Sequence, residues 1–138
     1  MKPLLLDTHA LLRFITGEPA DQAAEVAKLM SAADAGQVKL AVLPMVLAEA
    51  LFVLTGFYEH SRLKVADVLS HLISSPGFHS EEQEWLLQAL HLFGSGKLDF
   101  VDCYLAAASG RDGRTVVSFD RALAKLTGNT VRKPGECC

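Results

Sequence analysis

Lys2-Pro-Leu-Leu-Leu-Asp7-Thr8-His9-Ala-Leu-Leu-Arg-Phe-Ile15 begins with the pattern of a strand and ends with that of a helix. From Lys2 the chain is apolar until it stops on Asp7, which is the signature of a short buried strand. Thr8 suits a helix N-cap, and His9 to Ile15 carries helical spacing until Gly17 and Pro19 stop it. A strand running straight into a helix sets the expectation for everything downstream.

The pattern repeats. Asp21 to Ala35 reads as a second helix with Ala24, Val26, Leu29 and Met30 on its apolar side and Gly36 at its end. Leu40 to Leu43 is a second strand, and Pro44 then opens a helix at the one position where its missing N–H costs nothing. That helix runs to about Gly56. Arg62 to Ser74 is amphipathic and closes at Ser75-Pro76-Gly77, and Phe78 sits in a short extended piece. Ser80, with Glu82 and Gln83, opens a helix to about Phe93 that Gly94 and Gly96 end. Asp99 to Ser109 is alanine-rich and helical, Asp112-Gly113 a turn, Thr115 to Ser118 a strand, Arg121 to Leu126 a short helix, and Val131 an edge strand. Strands alternating with helices predict an α/β protein, a three-layer α/β/α sandwich around a short parallel sheet with Rossmann-like topology.

The 138 residues are the size of one ordinary domain, so the whole chain, 1–138, is expected to fold as one. Half of the residues are hydrophobic and 21% charged, a globular composition. Leu40 to Phe57 is apolar apart from Glu49, yet Pro44 and that central glutamate interrupt it. A buried strand followed by a buried helix fits this stretch better than a membrane span, which needs about twenty apolar residues. The apolar run at the N-terminus is too short for a signal peptide, so the cytoplasm is the expected location.

Cys103, Cys137 and Cys138 form no metal-ligand or disulfide pattern and read as free thiols, and His9, His60, His71, His79 and His91 make no ligand motif either. The formal net charge is −3. A surface of that sign is no general trap for nucleic acid, so any such role must come from a local site with metal ions supplying positive charge.

Carboxylates supply that local site. In an open parallel sheet ligands bind at the carboxyl ends of the strands. Asp7 ends the first strand, and Asp120 stands two residues past the Thr115–Ser118 strand, so both project toward one rim although far apart in sequence. Glu49 lies in a helix flanked by Val46, Leu47, Leu51, Phe52 and Val53. If buried, it needs a metal ion or an arginine to offset its desolvation; the other reading is that it points to solvent from a polar stripe. Asp99 and Asp102 share one face at a helix N-terminus, where Asp99 is either a further acid of the site or simply the cap. Acids gathered in this way repel one another unless cations compensate. Oxygen donors suit Mg²⁺ or Mn²⁺, which assist phosphodiester hydrolysis.

At these residues the chain resembles the PIN-domain ribonucleases, and among them the VapC-type toxins of bacterial toxin–antitoxin pairs. The resemblance covers nearly the whole chain. Leu4-Leu-Leu-Asp-Thr-His-Ala-Leu-Leu12 resembles the opening motif, with the metal-binding aspartate at Asp7. The family glutamate falls on Glu49 in Leu47-Ala-Glu-Ala-Leu51. Leu98-Asp-Phe-Val-Asp-Cys-Tyr-Leu-Ala-Ala-Ala108 resembles the third motif, with Asp102 as central ligand and Asp99 as an acid found in many members. Val116-Val-Ser-Phe-Asp120 resembles the fourth, with Ser118 where Thr or Ser is usual. Each motif is weak alone, whereas four in order at suitable spacing are specific. Cys103 and Tyr104 depart from the small or aliphatic residues usual there, and the Cys137-Cys138 tail has no counterpart.

The resemblance implies Mg²⁺- or Mn²⁺-dependent endonucleolytic cleavage of RNA that leaves a 5′-phosphate and a 3′-hydroxyl, a homodimer, and inhibition by a cognate antitoxin protein. Metal ligands would be Asp7, Glu49, Asp102 and Asp120, with Asp99 beside them. Thr8, Arg13 and Ser118 are candidate substrate contacts, and Arg111, Arg114 and Arg121 candidate rim charges. The apolar stretch Met45 to Phe57 and the helix Arg62 to Ser74 offer more hydrophobic surface than one small sheet can cover, which also points to a two-fold dimer. A haloacid-dehalogenase-type phosphatase would need an aspartate where His9 stands, and a receiver domain a lysine where Ser118 stands. A non-enzymatic pocket that only docks an arginine of a partner would not need all four motifs intact.

Overall fold

The computed structural model describes residues 2–127 and 131–137. The elements run β1 (Leu4–Leu5), α1 (Thr8–Thr16), α2 (Ala20–Asp34), β2 (Leu40–Ala41), α3 (Pro44–Phe52) with a π-helical turn at Val53–Phe57, α4 (Arg62–Ile73), α5 (Gln83–Ser95), α6 (Phe100–Asp112), β3 (Val116–Val117), α7 (Arg121–Thr127) and β4 (Val131–Arg132), closed by a 3₁₀ turn at Pro134–Glu136. The alternation expected from the sequence is therefore present, with helices that dominate and strands of two residues each. Among the described residues no helix is long and apolar enough to cross a membrane. The stretch Leu40 to Phe57 divides at Pro44 into strand and helix.

Every strand pairing is parallel. Leu4 and Leu5 lie opposite Leu40 and Ala41, Leu40 bridges to Phe78, and Val116 and Val117 lie opposite Val131 and Arg132. Instead of one short sheet there are two separate pairs among the described residues, β1 with β2 and β3 with β4. Leu4 and Leu5 are consequently exposed, at 48% and 63%. Strands of two residues give ladders too short for a wide sheet, and the core forms between helices instead.

That core draws on every element up to α6. Leu11, Leu40, Leu47, Leu51, Leu54, Leu69, Leu86 and Leu90 are all but fully buried, and α4, α5 and α6 pack in series with α1 on α2 and on α3. Gly77 is required where the chain returns beneath α2, because a Cβ there would stand 2.5 Å from the Ala33 Cβ, while its carbonyl accepts from the Leu40 amide. A smaller cluster of Ala106, Val116 and Leu123 holds β3 and α7 against α6.

Helix ends follow local chemistry. Asp7, not Thr8, caps α1: its carboxylate accepts from the Ala10 amide at 2.8 Å and Thr8 is the first helical residue, buried at 9%. The physical reason is reach, since an aspartate at the N-cap meets the amide three residues on. Gly17 and Gly113 end α1 and α6 in the left-handed conformation that glycine adopts without strain. α6 runs to Asp112, three residues past the expected Ser109.

Candidate active site

Three of the five acids lie on neighbouring elements. Asp99 and Asp102 stand at the start of α6, and Asp120 follows β3, which is docked on the same helix. Asp102 is half-buried, and its carboxyl is raised above the usual carboxylate value, first by burial and then by the negative charges of Asp120 and Asp99. That shift requires the three acids to feel one another. Both minor causes have the same sign, so the cluster carries electrostatic repulsion that a cation would relieve.

The support of each acid differs. Asp99 occupies the N-cap position of α6 in extended backbone, but its side chain makes no cap hydrogen bond. Asp99 thus holds the cap position through its backbone, with its carboxylate making no cap hydrogen bond. Asp120 is fixed from two sides: its amide donates to Ser118 Oγ at 2.9 Å, and its own Oδ1 accepts from the Ala122 amide at 2.8 Å. Ser118 thus holds the acid-bearing turn.

Asp7 and Glu49 stand on other elements, at the start of α1 and on α3. Asp7 turns its carboxylate into its own helix as the cap. Of the two readings its apolar neighbours left open for Glu49, the exposed one holds, because Leu47, Ala50 and Leu51 take the inward face of α3 and leave Met45, Glu49 and Phe52 on the outward one. Its helix nonetheless borders the cluster, since Ala48 and Phe52 share a groove with Asp99 and Val101. The donor set is all oxygen, which suits Mg²⁺ or Mn²⁺. Among the described residues no three His, Cys, Asp or Glu side chains are close enough together to hold a metal ion. The donor chemistry fits a hard cation, and the convergence of all four expected ligands is incomplete.

The expected cationic contacts are mostly committed elsewhere. Arg13 Nε donates to Gln22 Oε1 at 2.8 Å, tying α1 to α2. Arg111 pairs with Glu84, and Arg114 with Asp112 at 2.6 Å. Arg121 is exposed.

One contributor escaped the sequence reading. Arg62 donates from Nε to the Phe93 carbonyl at 3.1 Å and from Nη2 to the Leu98 carbonyl, with its guanidinium 3.7 Å from the Phe93 ring centre. It clamps the residue immediately before Asp99 and so sets where α6 begins. No motif betrays this, because its hydrogen-bond partners are backbone carbonyls that any residue supplies. Cys103, fully buried one residue after Asp102, has its thiol pushed up to about 11, mainly by burial. Its side chain packs in the larger core cluster. Tyr104, the other departure from the family pattern, donates its hydroxyl to Glu82, and burial together with that carboxylate pushes it up to about 12.

The α/β alternation agrees with comparison to known proteins. The PIN domain family model matches residues 4–129. The chain is 27% identical over 128 residues to the VapC ribonuclease of Aquifex aeolicus (strain VF5), an alignment that covers 92% of this chain and 94% of that protein. No solved structure matches the chain significantly. With a family model covering almost all of its length, the chain belongs to the PIN-domain family.

Proposed function

We propose that this protein is a metal-dependent endoribonuclease, the toxin of a toxin–antitoxin pair, acting as one domain over residues 1–138. The observation that carries the reading is Asp102, raised first by burial and then by the charges of Asp120 and Asp99. The VapC ribonuclease of Aquifex aeolicus, similar over nearly the full chain, supports RNA as substrate and an antitoxin as partner.

In this reading Asp7, Glu49, Asp102 and Asp120 would hold Mg²⁺ or Mn²⁺, with Asp99 beside them. A cation bound there would supply positive charge to a phosphate and lower the pKa of a water. The carboxylates orient that water in line with the bond to the 3′ oxygen. Its oxygen bonds to phosphorus, the P–O3′ bond breaks, and the products carry a 5′-phosphate and a 3′-hydroxyl. Ser118 keeps Asp120 in place by accepting its amide hydrogen. Thr8 and Arg13 then act on substrate only through the position of α1, given their burial and pairing.

The three-layer arrangement belongs to the same reading, supported by parallel pairing at every strand. So does the homodimer: Met45, Phe52 and Phe57 are 74%, 78% and 80% exposed, a surplus of apolar surface on and after α3. The proposed location is the cytoplasm.

The test is cleavage of a single-stranded RNA with Mg²⁺ and with EDTA, by wild type and Asp102→Asn. Cleavage that requires the metal and falls at least a hundredfold in the variant, with an unchanged circular-dichroism spectrum, is expected. Cleavage that persists in EDTA, or that the variant retains in full, would sink the assignment.

A further inference from the structure

A cavity of about 460 Å³ opens between α5, α6 and β3, and none of the five acids lines it. Its aromatic walls are Trp85 and Tyr104, edge to face with ring centres 6.5 Å apart. Val116 and Val117 of β3 form part of its apolar lining, and Val117 is 56% exposed. Two charges face it. Glu82 accepts the Tyr104 hydroxyl through one carboxylate oxygen, Oε2. Arg114 lies 5.9 Å from the Trp85 ring centre and pairs with Asp112 through Nε and Oδ2, in an ion pair whose arginine side chain is 68% exposed.

We propose that this cavity receives one unpaired nucleobase of the RNA strand, a role that rests on the ribonuclease reading above and adds a specificity subsite to it. Its size lies in the range of pockets that enclose a small planar group. Aromatic faces stack bases whatever their identity. A carboxylate fixed at the wall accepts from donors on a base's pairing edge. Guanine, with adjacent N1–H and N2–H groups, presents more of them than uracil, so guanine is the favoured occupant. Arg114 stands at the mouth, where a backbone phosphate would follow the base.

The pocket and the acids share their supporting elements. Asp102 and Tyr104 are two residues apart on α6 and therefore point to different sides of one helix. β3 passes from the pocket lining at Val117 to Asp120, three residues on. A base held here belongs to a nucleotide a short step along the strand from the scissile phosphate.

Trp85 is the one tryptophan of the chain, so its fluorescence reports on the pocket directly. The experiment titrates the wild-type protein in EDTA, where no metal-dependent cleavage consumes the ligand, with a guanine-containing single-stranded RNA and separately with guanosine monophosphate. Saturable quenching by the strand is expected, weakened about tenfold by Tyr104→Leu, in line with the ~1–3 kcal/mol of one base–aromatic stack. Arg114→Gln, at an exposed position that leaves the fold intact, is expected to weaken strand binding a few-fold and the mononucleotide less. A labelled strand that binds by anisotropy without changing Trp85 emission would overturn the proposal, as would quenching by the mononucleotide alone. Failure of the two readings is separable. Quenching without any metal-dependent cleavage removes the ribonuclease and keeps a base pocket, whereas cleavage without quenching does the reverse.

Discussion

The two hydrophobic clusters divide the molecule unequally. The larger is built from side chains between Leu6 and Ala107, on or beside each element up to α6. The smaller is Ala106, Val116 and Leu123, with Leu92 and Val131 packed against it. One side of α6 belongs to the first and another to the second. The carboxylates straddle this division: Asp99 and Asp102 start a helix held by α5 and by the Arg62 clamp, while Asp120 rides on β3 and α7. A site assembled across a strong and a weak region depends most on the weak one, since local opening costs only what holds that region.

The sharpest way to break the comparison is to cut into each cluster. Leu51→Ala, at a fully buried position of α3, is expected to lower stability by about 2–5 kcal/mol and to unfold the chain as a whole. Leu123→Ala, also buried, should leave the main denaturation midpoint nearly unchanged. It should speed amide exchange across residues 116–125 and reduce RNA cleavage well beyond any loss of helix signal. Denaturation curves that shift equally for both variants would make the two regions one cooperative unit.

A second effect concerns the charge gathered at the junction. Asp102 titrates above its ordinary value in the folded protein, so the folded state holds its proton more tightly than the unfolded state does. Its ionised form therefore costs stability above the folded pKa, and that cost is relieved as pH falls through it. Asp102→Asn in EDTA should raise the melting temperature at pH 7, and the gain should shrink on acidification. A lower melting temperature at pH 7 would show that some cation already balances the acids.

Cys103 gauges the stronger region. It is fully buried on α6, and its thiol is pushed up to about 11, whereas Cys137 is exposed. In a Cys137→Ser, Cys138→Ser variant, a thiol reagent at pH 8 should label Cys103 only at the rate of unfolding. Rapid labelling would place the division within α6 itself.

The smallest effect is expected at Asp99. Its side chain caps nothing, so Asp99→Asn should change stability by less than about 0.5 kcal/mol, as surface substitutions do. It should nonetheless raise the Mg²⁺ needed for half-maximal cleavage. Superimposable Mg²⁺ titrations of wild type and variant would remove Asp99 from the site.

Much of this was legible in the chain. Pro44, Gly36 and the run ending at Gly96 mark helix boundaries to within a residue or two, because capping and backbone preference act over a single turn. The order Asp7, Glu49, Asp102, Asp120 was readable for the same reason, since each acid sits within a few residues of a strand end or helix start that local pattern reveals. Whether Glu49 is buried is left open by its apolar neighbours. Inward and outward faces of a helix as apolar as α3 depend on which side meets α1 and α6, and no periodicity within the helix records that choice.

The sequence by itself determined the alternation of strand and helix and most helix boundaries, which follow from short-range backbone and side-chain chemistry. Tertiary structure alone decided that Asp102 is half-buried and feels the charges of Asp120 and Asp99. It likewise set Arg62 on the carbonyl before Asp99 and brought Trp85, Tyr104 and Arg114 around one cavity. Those relations join residues whose attraction is to whatever lies near, and nearness across tens of residues exists only once the helices have packed.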